Sequence, residues 1–106
     1  MSAVDGDPQL LRSVIDAFLE EQEQIVQTML SALESGDVAE LKRSVHTLKG
    51  AMQTFGFPRI VEKAQQVEEI CRGESVEGAA DLVRQVHEGV QRVVVVMGRF
   101  DPGPPK

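Results

Sequence analysis

Apolar residues recur at steps of three and four through most of this chain, the spacing that lays side chains along one face of an α-helix. Leu11, Val14, Phe18, Ile25, Met29 and Leu33 mark one such face, interrupted by polar Gln22. Asp7 followed by Pro8 supplies an N-cap and a first-turn proline, and Ser35-Gly36 stops the helix. The segment exceeds the usual globular helix in length, which leaves room for a break near residues 12–17 and hence for a short extra N-terminal helix. Leu41, Val45, Leu48, Met52 and Phe55 form a second face, opened by Asp37 with Glu40 three positions later, the pattern of a capping box. Gly56-Phe57-Pro58 ends that helix and starts another, whose stripe is Ile60, Ala64, Val67 and Cys71 and whose end is near Arg72-Gly73. Ser75 is placed to cap a last helix carrying Val76, Ala79, Val83, Val86, Val90, Val93, Met97 and Phe100. The run Val93 to Val96 resembles a strand in isolation, yet the helical spacing continues on both sides and no second strand is available to pair with it.

These elements predict an all-α fold, an up-and-down antiparallel four-helix bundle over residues 8–100, with 1–7 and 101–106 as flexible ends. A length of 106 residues suits one domain with a modest core. At 42% hydrophobic and 26% charged the chain is neither disordered nor membranous, and the valine run is far too short to span a bilayer. No basic-plus-apolar leader opens it, and a lone Cys71 on an apolar stripe predicts a buried, inert thiol in a reduced, cytoplasmic setting.

Chemistry concentrates in the second helix. Measured from the centre of its apolar stripe, His46 falls roughly 140° away, Lys49 about 80°, Gln53 about 120° and Gly50 about 180°. His46 therefore faces solvent, Lys49 is close enough to lean over the imidazole, and Gly50 leaves a gap through which a partner can approach. If the second and third helices fold back as a hairpin, residues equidistant from Phe57 share a height, and the residue level with His46 is Glu68, each roughly 16 Å from the turn. A carboxylate accepting the Nδ1 proton would fix the tautomer and leave Nε2 free as a nucleophile.

The run His46-Thr47-Leu48-Lys49-Gly50 with Thr54-Phe55-Gly56-Phe57 resembles the histidine-containing phosphotransfer (HPt) domain, most closely the variant at the N-terminus of chemotaxis-type histidine kinases. Phe18 and Glu21, in an Asp-Ala-Phe-Leu-Glu-Glu helix, and Glu68 extend the resemblance over roughly residues 8 to 100. It implies that His46 accepts a phosphoryl group on Nε2 from a receiver aspartyl phosphate or a kinase catalytic domain and passes it to the receiver domain of a response regulator or hybrid kinase. Met52 and Gln53 are bulkier than the residues the family often has there, and Gln53 either hydrogen-bonds the phosphoryl group or crowds the partner. The Thr-Phe-Gly-Phe ending favours an excised kinase domain, whereas the start methionine and compact length favour a free-standing phosphotransfer protein.

The net charge of −6 is uneven: residues 1–41 carry one basic and nine acidic side chains, residues 42–72 six basic and three acidic, and residues 73–106 four basic and five acidic. Lys42, Arg43, Lys49, Arg59 and Lys63 are thus expected to steer an acidic partner toward the site, alongside Gly50 and Gln53, while the acidic remainder argues against nucleic acid. Lys49 is expected to offset the phosphoryl charge. A carboxylate-bridged metal site would need Glu-x-x-His pairs, and the residues three before His46 and His87 are Arg43 and Arg84, so no metal is expected. His87, beside stripe residue Val86, reads as a surface or boundary histidine. No phosphate-binding Gly-rich loop and no activated nucleophile motif is present, so neither an ATP site nor any other cofactor site is expected. The chain is expected to act as a monomer, and the competing reading is a degenerate bundle of the same fold that serves only as a protein-interaction module.

Overall fold

The computed structural model describes residues 8–99, which form helices α1 (Pro8–Ser35), α2 (Val38–Phe55), α3 (Pro58–Arg72) and α4 (Ala80–Arg99). Among the described residues the backbones of α1 and α3 each lie close to those of α2 and α4, while the diagonal pairs stand farther apart, so the bundle is square and consecutive helices are neighbours. The α2–α3 turn lies at the end of the bundle that holds the first half of α1 and the second half of α4, with Phe18 against Phe55 and Gly89 against Ile60.

Each turn has a local cause. Gly56 takes a left-handed φ of 84°, and the N–H groups of Gly56 and Phe57 return to the carbonyls of Gln53 and Met52, which closes α2 with paired hydrogen bonds before Pro58 opens α3. Asp37 caps α2 by accepting the Glu40 N–H at 3.1 Å, but the reciprocal half of the expected capping box is missing. The Asp37 N–H is spent on Ala32 at 2.9 Å, and the Glu40 carboxylate turns to Arg43 at 2.7 Å. Ser75 does not cap α4: its hydroxyl accepts the Glu77 N–H within the loop, and the helix begins five residues later, where the Ala79 carbonyl takes the Val83 N–H at 2.8 Å. At the end of α3 the left-handed residue is Glu74, with φ 59°, while Gly73 stays at −81°.

The core is aliphatic. Met29, Leu41, Val45, Leu48, Met52, Val67, Val83, Val86 and Val90 are fully buried, each contributing on the order of 1.5–3 kcal/mol of transfer free energy. Val93 is buried while Val95 and Val96 are exposed, so the valine run obeys the helical period as expected. Two expectations for α1 change. The helix is unbroken through residues 12–17, so no separate short helix precedes it among the described residues. Its buried side is Ile15, Phe18, Gln22, Val26, Met29 and Ala32, whereas Val14, Ile25 and Leu33 are only half-buried, because α1 is flanked by two helices and must cover a wider arc than one apolar stripe. Phe100 and both chain ends lie outside the described residues.

Candidate functional site

Two positions on α2 and two on α3 meet across the hairpin. His46 Nδ1 lies 2.7 Å from Glu68 Oε2, and Lys49 Nζ donates to Glu68 Oε1 at 2.6 Å and to Gln65 Oε1 at 3.0 Å. The imidazole is 71% exposed, but the Glu68 carboxylate beneath it is only 7% exposed and the Lys49 side chain 14%. A nearly buried carboxylate thus supports a solvent-facing ring. Burial alone pushes the Glu68 carboxyl up, yet the hydrogen bonds and charges of Lys49 and His46 outweigh it and hold the group below its ordinary value, so it is ionised at neutral pH. An ionised carboxylate can only accept, so Nδ1 donates the hydrogen bond and Nε2 is the ring nitrogen left without this partner.

The level pairing expected for His46 and Glu68 is realised, and the same register sets Lys49 against Gln65. Gln65 was not singled out by sequence reasoning although the signal was present, since positions 49 and 65 are as equidistant from Phe57 as 46 and 68. Lys49 differs from expectation in its occupation. Its ammonium is held by Glu68 and Gln65 and so meets the imidazole through the carboxylate they share, because a buried carboxylate is a weakly hydrated counter-ion.

The remaining candidates divide between two sides of α3. Lys42, Gly50 and Gln53 are exposed and fall on the same face of α2 as His46, and a Cβ built at Gly50 meets nothing within 4 Å. Arg43 is exposed and tied to Glu40. Arg59, by contrast, is about 180° around α3 from Glu68 and lines a groove shared with α4, and Lys63 is about 140° away, so neither is brought to the imidazole. Both were placed near the site on local charge density alone, which carries no information about which side of α3 they occupy. Arg72, exposed one turn beyond Glu68, is the cation that reasoning passed over. His87 is half-buried on α4, the helix diagonal to α2.

Around this cluster, Phe18 of α1 packs edge-on against Phe55 with centroids 5.3 Å apart, and Glu21 borders the cleft where α1 meets Thr47 and Ala51. Cys71 is buried, and desolvation pushes its thiol up. Among the described residues no three His, Cys, Asp or Glu side chains converge as a metal would require, and no helix is long and apolar enough to cross a membrane.

Comparison with known proteins gives a consistent picture. The family model described as "Hpt domain" matches residues 13–95. Histidine-containing phosphotransfer protein 2 of Arabidopsis thaliana is 28% identical over 85 residues, 77% of this chain and 54% of that protein. Histidine-containing phosphotransfer protein 5 of the same plant is 27% identical over the same shares. The chain spans about half the length of the curated relatives it matches. No solved structure matches it significantly.

Proposed function

We propose, from the premise that this chain belongs to the Hpt domain family, that it is a phosphorelay intermediate of two-component signalling, with His46 as the group that carries the phosphoryl. The observation that carries this reading is the 2.7 Å contact of Nδ1 with an ionised, buried carboxylate beneath an exposed ring. In the step itself, the Nε2 lone pair attacks phosphorus, the bond from phosphorus to the donor's carboxylate oxygen breaks, and the electron pair leaves with that carboxylate. The Nδ1 proton stays on the ring, so the imidazole becomes cationic as the N–P bond forms, and Glu68 stabilises that charge where it develops. Reversal toward a second receiver restores the neutral ring.

Lys49 is read as acting chiefly through Glu68: its ammonium keeps the carboxylate ionised and oriented, and Gln65 keeps the ammonium in place. Lys42 and Arg72 are the exposed cations left to meet an acidic receiver rim, and Gly50 and Gln53 are its contact floor, with the role of Gln53 set by the partner. Donors and acceptors are receiver domains, and a histidine kinase catalytic domain is a further donor. A monomer in a reduced, cytoplasmic setting completes the reading, consistent with the buried thiol of Cys71.

The test is transfer to the full chain from a phosphorylated receiver and from phosphoramidate, scored as acid-labile, base-stable label. His46→Gln is expected to remove label from both donors, with a change in folding free energy under about 0.5 kcal/mol for an exposed position. Label retained at wild-type extent, or lost with His87→Gln instead, would overturn the assignment. Glu68→Ala is expected to slow transfer more than Glu68→Gln. The amide oxygen of glutamine can still accept from Nδ1, but its NH2 then faces the Lys49 ammonium, donor against donor.

A further inference from the structure

On the far side of α3 from His46, where its first turn meets the last turns of α4, lies an open groove of about 430 Å³ lined by Phe57, Arg59, Ile60, Gly89, Arg92 and Val96, among others. Its floor is apolar, and Val95 and Val96 beside it are 52% and 57% exposed, the highest values among the large hydrophobic residues described. Its charge has a single sign. Among the described residues Arg59 and Arg92 are the only charged ones lining it, in a chain of net charge −6, and neither is in an ion pair. The backbone adds to them: α3 starts at Phe57-Pro58 with no side-chain cap and no acidic residue in its first turn, so the positive end of that helix is not offset locally.

We propose that this groove docks an acidic amphipathic segment of a partner protein, with apolar side chains on Ile60, Val93 and Val96 and carboxylates on Arg59 and Arg92. Charge decides between this occupant and a second copy of the chain, because pairing the groove with itself about a two-fold axis sets arginine against arginine across an apolar seam. The groove also stands clear of the reactive ring. Arg59 is nine residues from Glu68, roughly 14 Å along α3, and on its opposite side, so an occupant leaves His46 open. The surface is therefore a docking site that leaves the histidine face open, and binding there does not depend on the phosphoryl reading.

The experiment titrates the isotopically labelled full chain with a helical peptide of about 14 residues carrying leucine at three-four spacing and glutamate elsewhere, a form suited to groove recognition. Its controls are the same peptide with lysine for glutamate and a scrambled peptide of the same composition. Saturable shifts confined to the amides of Arg59, Ile60, Gly89, Arg92 and Val96 are expected with the acidic helical peptide alone. Arg92→Glu and Val96→Asp are each expected to weaken binding about tenfold or more, and raising salt from about 50 to about 300 mM to weaken it several-fold. His46→Gln should bind the peptide as wild type does, and Arg92→Glu should keep its melting temperature and take label from phosphoramidate at the wild-type rate. Equal binding of the lysine peptide, shifts on the His46 face, or no shifts at all would overturn the proposal. So would concentration-dependent shifts of the same amides without peptide, which would make a second copy the occupant.

Discussion

Gly50 and Gly89 are the same residue in the same local setting, the interior of a helix in a square bundle, and their surroundings are opposite. A Cβ added at Gly50 enters open space, with nothing within 4 Å, whereas one added at Gly89 would lie 2.8 Å from Ile60 Cγ1 and 3.0 Å from its Cδ1. Either glycine costs its helix roughly 0.5–1 kcal/mol relative to alanine, so each must be offset by something. For Gly89 the compensation is internal: the missing side chain lets α4 settle against Ile60 of α3. At Gly50 a Cβ meets no such neighbour, and the proposed function gives the space beside His46 to an approaching partner. The difference teaches that an interior glycine signals a close approach without saying whether the approaching body is the protein or its partner.

The largest expected effect tests the outward assignment. Gly50→Leu should reduce transfer from a phosphorylated receiver by about 100-fold or more, an apparent loss of roughly 2.7 kcal/mol in transition-state stabilisation, while phosphoramidate, too small to be excluded, still labels His46. Equal loss with both donors would show that the substitution disturbs the site itself. Stability should not fall, since leucine is the better helix former by up to about 1 kcal/mol and its Cβ meets nothing within 4 Å. At the other glycine the same substitution should act on folding: Gly89→Leu is expected to cost about 1–3 kcal/mol or more by overpacking against Ile60, read as a lower urea midpoint, with labelling by phosphoramidate unchanged per folded molecule.

An intermediate effect concerns the carboxylate that both faces of the reactive hairpin share. Glu68 is held below its ordinary value in the folded chain, so its contribution to stability is fully present above the unfolded carboxyl range and is lost as pH falls through the folded value. Urea melts across the acid limb should therefore show wild type losing stability relative to Glu68→Gln as pH drops, and parallel curves would remove the carboxylate from the account. The smallest effect sharpens the glycine comparison most. Gly50→Ala should stabilise by about 0.5–1 kcal/mol, independently of any other site. Gly89→Ala should gain less or lose, and the deficit should vanish when Ile60→Ala is combined with it, a coupling read from a double-mutant cycle. Additivity at Gly89 would mean that Ile60 yields freely and that the close approach is incidental.

The helix count, the connections and most of the core followed from periodicity and punctuation, because those signals are local: apolar spacing, a glycine after the last turn and a proline in the first require no knowledge of neighbours. The His46–Glu68 pairing was legible for a related reason, since a tight hairpin at Phe57 converts distance along the chain into height, and it would have revealed Lys49–Gln65 by the same measure. What could not be read was every feature set by a second or third neighbour. The true buried face of α1 depends on being wedged between α2 and α4. The missing half of the capping box depends on Arg43 drawing Glu40 away, and the inward turn of Lys49 on a carboxylate that is buried and so weakly hydrated. Arg59 and Lys63 belong to the α4 side of α3, a fact of packing that sequence proximity to a basic run conceals. Local propensity acts over a few residues and is therefore written in order along the chain. Competition for a buried charge, a shared groove or the space above a glycine is decided only once the helices have met.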